Sequence, residues 1–322
     1  YGSAVMYSLG VNFDFTYITA CIVDKSGTIL LKESIPTLKY RKFDEIVKDM
    51  AHLCIRIVNK AGLNIDKDIE FIGIGCYGSI DSRTGVMIYS SYFGFRNAPI
   101  AEEMKKYVNI PVVCENDANC YALAESRIGA TKGLKNTIIV TIGTAISGGI
   151  IIENNIYHGL AYGAGEFGHH VIIFGGEKCE CGRNGCWAAY ASTNALVRDS
   201  RIMAIRHPES MLFKMVNGDI RLMSFRTPFE AAQKGDVHAK ELVDAYTKYV
   251  ALGLINIVNI LQPEAIAIGG KIRKIGQEFI NNVDKKVTEK TFGQYDDDKK
   301  TRILMCDLDY DAVIIGATML RH

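Results

Sequence analysis

Tyr7-Ser-Leu-Gly-Val-Asn-Phe-Asp-Phe-Thr-Tyr-Ile-Thr-Ala-Cys-Ile-Val-Asp-Lys-Ser-Gly27 sets a pattern, and Thr137-Ile-Ile-Val-Thr-Ile-Gly-Thr-Ala-Ile-Ser-Gly-Gly-Ile-Ile-Ile152 repeats it. In the first stretch the β-branched run Tyr17–Val23 ends in the turn Asp24–Gly27 and resumes at Ile29–Leu31. In the second, the strand Thr137–Ile142 passes through the Gly-containing turn 143–147 into the strand Gly148–Ile152, and Glu153–Asn155 turns the chain once more. Short apolar runs bounded by turn residues are strand signals. A strand–turn–strand–turn–strand opening that recurs after roughly 130 residues is an internal repeat, and it predicts two related halves.

The segments between and after the repeats alternate. Ile46, Met50, Leu53 and Ile57 recur at three- and four-residue spacing and predict a helix over Phe43–Ala61. Phe71–Cys76 and Pro111–Cys114 read as buried strands, and the second runs straight into a helix over 117–128. A further helix is expected over Pro99–Tyr107, and mostly helix over Ser192–Asn259 with a looser basic patch at 198–225. A late strand at Ala265–Ile268 ends in Gly269-Gly270, and Asp311–Arg321 reads as a closing helix. Strands alternating with helices predict α/β domains with buried sheets. A length of 322 residues suits two of them. The join is expected near Cys120–Gly133, inside or just after a helix, and the division is written 1–120, joined by the closing segment 311–322, and 121–310. A cleft between two such domains is the default place for a small ligand. With 37 basic against 36 acidic side chains, this stretch has no overall basic field for nucleic acid or an anionic membrane. No apolar run approaches the roughly 18–20 residues of a spanning helix, and no signal peptide stands at the front. Six of the nine cysteines (Cys21, Cys54, Cys76, Cys114, Cys120, Cys306) lie singly in apolar stretches and read as reduced, cytoplasmic thiols.

The other three cluster in Cys179-Glu-Cys-Gly-Arg-Asn-Gly-Cys186, ten residues beyond His169. His169, Cys179, Cys181 and Cys186 make a soft N/S donor set suited to tetrahedral Zn²⁺, with no position left open for hydrolysis, so the zinc is expected to be structural. His170 is the alternative fourth ligand. Glu115-Asn-Asp-Ala-Asn119 follows a buried strand. Asp117 could take a proton from a hydroxyl and Asn116 could bond its neighbours; the other reading makes Asn116 or Asp117 simply the cap of the next helix. Glu166, set among small residues in Gly163-Ala-Gly-Glu-Phe-Gly-His169, is either a ligand contact fixed by His169 or a solvated loop carboxylate.

Together these pieces resemble the ROK family of bacterial sugar kinases and sugar-responsive repressors, over almost the whole chain. The family's Asn-Asp-Ala-Asn motif stands as Asn116–Asn119, its Gly-Ala-Gly-Glu-X-Gly-His motif as Gly163–His169, and its Cys-X-Cys-Gly-X-X-Gly-Cys motif as Cys179–Cys186. Asp311-Ala…Gly316-Ala317 is similar to its closing helix, and Ile268-Gly-Gly270 to its adenosine-side turn. The resemblance implies the two-domain actin-like ATPase (ribonuclease H-like) fold with duplicated, hairpin-led domains. It implies a sugar site at Gly78, Asn116, Asp117, Glu166 and His169, with Asp117 as the catalytic base in a kinase.

The chain departs from the family's kinases at both phosphate turns. Asp-X-Gly-Gly-Thr has become Asn12-Phe-Asp-Phe-Thr16, and Gly-Thr-Gly-Ile-Gly-Gly-Gly has become Gly143-Thr-Ala-Ile-Ser-Gly-Gly149. Lost glycines keep backbone from a phosphate, Asp14 repels it, and Asn12 replaces a carboxylate that would help hold Mg²⁺. ATP and Mg²⁺ are therefore not expected as cofactors. Ala188 also stands where the family has a sugar-binding Glu; Tyr92 and Phe95 either stack on a ligand in its place or belong to the core. The expected function is the sugar-sensing part of a ROK-type transcriptional repressor, a homodimer in the cytoplasm whose sugar ligand shifts the angle between domains. Such a repressor reads DNA through a winged helix-turn-helix of roughly 70–80 residues before the first hairpin; Tyr1, not a Met, is read as a cut that removed it. The alternative is an ATP-dependent sugar kinase of glucokinase type, and a third reading is a stand-alone sugar-binding protein.

Overall fold

Alternation in the first strand decides what each face of the first sheet is packed against. In this computed structural model, which describes residues 6–38, 40–293, 296, 299–309 and 311–321, the chain opens with β1 (Tyr7–Phe13), β2 (Tyr17–Val23) and β3 (Ile29–Pro36). Tyr1, with the cut read there, and His322 lie outside the described residues. Next come α1 (Phe43–Lys60), α2 (Ile65–Asp68), β4 (Ile69–Cys76), β5 (Ser79–Asp81), β6 (Val86–Tyr89) and β7 (Arg96–Pro99). They lead to α3 (Ile100–Met104), β8 (Val112–Asn116) and α4 (Asp117–Ile128). The repeat supplies β9 (Thr137–Ile142), β10 (Ile146–Ile152) and β11 (Asn155–Ile156). Then follow α5 (Ala188–Ala191), α6 (Thr193–Arg206), α7 (Met211–Lys214), α8 (Thr227–Gln233) and α9 (Val237–Leu261). The chain closes with β12 (Ala265–Gly269), α10 (Gln277–Lys290), β13 (Arg302–Met305) and α11 (Ala312–Ala317).

Contacts group the chain into two units, the first made of residues up to 133, 149–164 and from 308 on, the second of 134–148 and 165–307. The join expected near 120–133 opens inside α4, whose backbone bonds run unbroken to Gly129 N–H on Glu125 O at 3.1 Å, and the break itself follows Gly133. A continuous hydrogen-bonded helix is one packing body, so the boundary moves past it. The segment 149–164 also joins the first unit, because Gly149 lies against Ala118 and Ala122 of α4.

The first unit holds a sheet in the order β3-β2-β1-β4-β8, antiparallel through the meander and parallel from β1 through β4 to β8. Leu9, Val11 and Phe13 point to one face and pack with Ile46, Met50, Leu53 and Ile57 of α1. The other face is lined with glycine. A Cβ on Gly10 would lie 2.3 Å from Ile314 O, and one on Gly73 would lie 1.8 Å from Ala317 O. The backbone of α11 therefore rests directly on the sheet, which only side-chain-free strand positions allow. Gly316 repeats the device against α4, where a Cβ would sit 1.8 Å from Cys120 O. A small antiparallel sheet, β5-β6-β7, completes the unit.

In the second unit β12 pairs in parallel with both β9 and β13. The segment expected to be loose is more regular than its charge suggests: α6 runs through to Arg206, and α7 and a 3₁₀ turn at Ile220–Leu222 follow. The long helix α9 carries Gly253 directly under the buried ring of Trp187, where a Cβ would meet the indole at 2.0 Å. The indole N–H donates to Tyr249 O at 2.8 Å. Among the described residues no helix is long and apolar enough to cross a membrane. The isolated thiols behave as core residues; burial pushes Cys21 and Cys54 up to about 12.

Gly253→Ala and Gly316→Ala are each expected to lower the unfolding free energy by about 1–3 kcal/mol, the usual cost of overpacking a dense core. Gly163→Ala, which has nothing within 4 Å of a built Cβ, is expected to stay within about 0.5 kcal/mol of the parent. Urea unfolding midpoints measure all three.

Candidate functional site

The corner from β8 into α4 gathers the first set of polar groups. Glu115 is only 2 % exposed, yet its carboxylate is well supplied with donors. Oε1 accepts from the Asn116 backbone N–H at 2.7 Å and from Asn119 Nδ2 at 3.0 Å, while Oε2 lies 2.6 Å from His158 Nε2. Burying a carboxylate without such partners would cost several kcal/mol. Asn116 is the cap of α4: its Oδ1 accepts from Asn119 N–H at 3.1 Å. Its amide Nδ2 also donates to Gly78 O at 3.0 Å. The capping and site readings of Asn116 are thus compatible, since one amide oxygen and one amide nitrogen do separate jobs. Asp117 opens α4, half-buried, with Oδ1 accepting from Ala118 N–H at 2.9 Å. Gly78 has φ of +147°, and a Cβ there would lie 2.6 Å from Tyr89 O, so glycine is required where the chain passes β6. Asn116 thus joins Gly78 by a hydrogen bond, with Asp117 next to it in the chain.

Sequence reasoning missed His158 and the rings of Phe15 and Tyr77. His158 carries no local motif; its pairing to Glu115 spans the distance from β8 to the end of the repeated hairpin. The bond to Glu115 raises the imidazole above its ordinary 6.5, against the opposing effect of burial. Phe15, in the first phosphate turn, packs on Tyr92 at 4.7 Å and edge-on to Tyr77 at 5.6 Å between ring centroids. The three rings are each between a third and two-fifths exposed. Tyr92 is therefore a surface ring, whereas Phe95 packs on Phe43 and Phe93 beside the core. In the same turn Asp14 Oδ1 accepts from Thr16 N–H at 2.8 Å, so a backbone donor that a phosphate would use is taken by the chain's own carboxylate.

The second set lies in the other unit. His169 Nδ1 is 3.6 Å from Cys179 Sγ, Cys181 Sγ is 3.6 Å from Cys186 Sγ, and all four ligating atoms lie within 4.8 Å of one another. Tetrahedral zinc, with bonds of about 2.3 Å to sulfur and about 2.0–2.1 Å to nitrogen, needs ligand–ligand edges of about 3.6–3.8 Å. The donor set fits the ion. Gly185 is forced: its φ is +83° and a Cβ would lie 1.7 Å from Ile173 O. The Arg183 backbone N–H holds the Cys181 thiol down at about 6, while burial pushes Cys186 up to about 12. His170 is occupied elsewhere, its Nδ1 2.6 Å from Phe167 O and its ring against Trp187. Glu166 is exposed and starts the 3₁₀ turn that ends in His169. A cavity of about 200 Å³ beside the cluster is lined by Thr144 and Ala145 of the second phosphate turn and by Lys178, Ala188, Asn194 and Arg198.

Two outcomes follow from this geometry. Cys181→Ser is expected to lose the tightly held zinc, measured by metal analysis, and to expose the 171–187 loop to protease. The Glu115–His158 pair stabilises the fold fully below an unfolded imidazole value of about 6.5 and loses that contribution as pH rises through the raised folded value. His158→Gln is expected to flatten the pH dependence of the melting temperature across that window.

Comparison with known proteins places these features. A model of the ROK family matches residues 8–322. A glucokinase of Halalkalibacterium halodurans is 31% identical over 314 residues, covering 97% of this chain and 94% of that protein. The xylose repressor of Bacillus subtilis is 28% identical over 297 residues, covering 89% of this chain and 70% of the repressor. The crystal structure of a ROK family glucokinase from Streptomyces griseus, in complex with glucose and AMPPNP, superimposes with a TM-score of 0.80 at 29% identity, covering 98% of each chain. A ROK family transcriptional regulator, a homolog of the Escherichia coli MLC protein, shares the fold with a TM-score of 0.85 at 22% identity, covering 98% of this chain and 77% of that one. Two hairpin-led α/β units with mixed sheets, the Asn116–Asn119 corner and the His169–Cys186 cluster are thus the actin-like ATPase fold and the motifs of one family: the chain belongs to the ROK family.

Proposed function

We propose that the protein binds a sugar at Gly78, Asn116 and Asp117 and phosphorylates it from ATP, as the name of its glucokinase relatives implies. The observation that carries this reading is the Asn116 bridge, which fixes Gly78 and the Asp117 carboxylate at one corner. Asp117 takes the proton of the attacking hydroxyl as the new O–P bond forms and the bond to the leaving ADP breaks. Zinc on His169, Cys179, Cys181 and Cys186 is structural. Identity to a glucokinase, 31% against 28% to a xylose repressor, supports this reading. Asn12 offers no carboxylate for Mg²⁺ at the first turn, so no step is assigned to the metal there.

One observation favours a second reading. With Thr16 N–H bonded to Asp14 and Phe15 packed on Tyr77 and Tyr92, the first turn is filled by the chain itself. In that reading the same sugar site reports occupancy without phosphoryl transfer, as the name of the xylose repressors implies, in a cytoplasmic homodimer. Calorimetry with glucose and xylose, run beside an ATP-coupled assay, separates the two. Turnover that falls about 10²–10⁴-fold in Asp117→Asn while sugar affinity holds supports the kinase. Sugar binding without turnover supports the sensor, and absence of sugar binding sinks both. On the kinase reading, the double change Asp14→Gly/Phe15→Gly is expected to raise turnover, because it restores backbone access to the phosphates.

A further inference from the structure

Beyond the cysteine cluster, a second group of metal-ligating side chains stands at the far end of α6. His207 closes that helix, its N–H bonding Met203 O at 3.0 Å. His238 is the second residue of α9, and Glu209 lies in the turn between α6 and α7. Glu209 Oε1 is 3.3 Å from His207 Nδ1 and 3.5 Å from His238 Nε2. The two imidazoles stack with centroids 3.6 Å apart and planes 17° apart.

The backbone beneath them is fixed twice over. Asp236 Oδ2 accepts from Ser210 Oγ at 2.9 Å and from Met211 N–H at 2.7 Å, while its Oδ1 caps α9 through Ala239 N–H at 2.8 Å. Ser210 N–H in turn bonds His207 O at 2.9 Å. One aspartate thus ties the 207–211 turn to the first turn of α9. The three donors converge without any ordering of the chain, which is the main entropic cost of building a site from loops.

We propose that His207, Glu209 and His238 form a second metal site that takes one divalent transition ion of the Zn²⁺ class. One carboxylate oxygen facing two imidazole nitrogens can be satisfied by protons on the rings or by a single cation between them. The three ligating atoms already lie within 4.8 Å of one another. Two imidazoles and a carboxylate suit zinc, copper, nickel or cobalt, and disfavour calcium or magnesium, which prefer all-oxygen sites. The side chains are between a quarter and two-thirds exposed, so they close on an ion by side-chain rotation alone and leave a position open to water. The helix α6, 14 residues long, spans about 21 Å at 1.5 Å per residue. Its first turn is capped by Ser192, which lines the cavity beside Cys179. One end of α6 therefore borders the cavity beside the cysteine cluster, and the other end leads into His207.

The test starts from full-length protein with its cysteine cluster loaded with zinc. Titration with Zn²⁺ by calorimetry is expected to show a further equivalent in the parent. That binding is expected to weaken more than about 100-fold in His207→Ala and Glu209→Gln, because loss of a direct ligand exceeds the 10–100-fold cost of losing a supporting partner. Glu209→Gln changes an exposed side chain and serves as the variant that keeps the fold, checked by circular dichroism. Co²⁺ added to the zinc-loaded parent is expected to give d–d absorption without the sulfur-to-cobalt charge-transfer band that a thiolate site produces. Equal uptake by parent and folded variants overturns the proposal, as does a spectrum showing thiolate ligation alone.

Discussion

A buried carboxylate organises the corner on which the candidate sugar site rests. Glu115 is almost wholly removed from water, and every bond it accepts constrains a neighbour. The bond from Asn116 N–H fixes the strand-to-helix turn, that from Asn119 Nδ2 fixes the first turn of α4, and His158 closes the side facing the end of the repeated hairpin. Asn116 is then free to direct its amide to Gly78, and Asp117 is left at the start of the helix. The chemistry proposed for Asp117 depends on this arrangement more than on any property of Asp117 alone, since a misplaced catalytic group loses most of its effect.

The two phosphate turns follow the opposite logic. They are local, and they are where this chain differs from its family's kinases. Asp14 uses its carboxylate as an intramolecular stand-in for an anion, and Phe15 adds a ring where the family has no side chain. These changes leave the sheet intact, because the register of β1 on β2 continues to the base of the turn, with Asn12 opposite Thr19 and Phe13 opposite Ile18. A fold of this kind can therefore keep one ligand site while the other drifts, and relatives with both kinds of name, glucokinase and xylose repressor, align over most of this chain.

Much of this was legible in the sequence because it is local. The repeated hairpins, α1 with its three- and four-residue spacing, the β8–α4 corner and the cysteine cluster each fit within a short window. What escaped was non-local or ambiguous. The strands of the β5-β6-β7 sheet have three or four residues each, too few for period-two alternation to register. His158 lies 43 positions beyond Glu115 in the chain and meets it only on folding. The basic segment after Arg198 reads as loose by composition, yet α6 persists because Ala195, Leu196, Ser200 and Ala204 give it a buried stripe. The break between units comes at the far end of the 120–133 stretch expected for it, because α4 belongs wholly to one unit.

Trp187 gives the second unit a property beyond packing. It is the chain's only tryptophan, it follows Cys186 directly, and it sits fully buried against Gly253 with its indole bonded to Tyr249. Red-edge excitation near the long-wavelength limit of protein absorbance therefore addresses a single chromophore, and that chromophore is covalently next to a cluster thiol. The emission colour and quenching of the whole protein amount to a built-in optical gauge of whether the metal loop is closed.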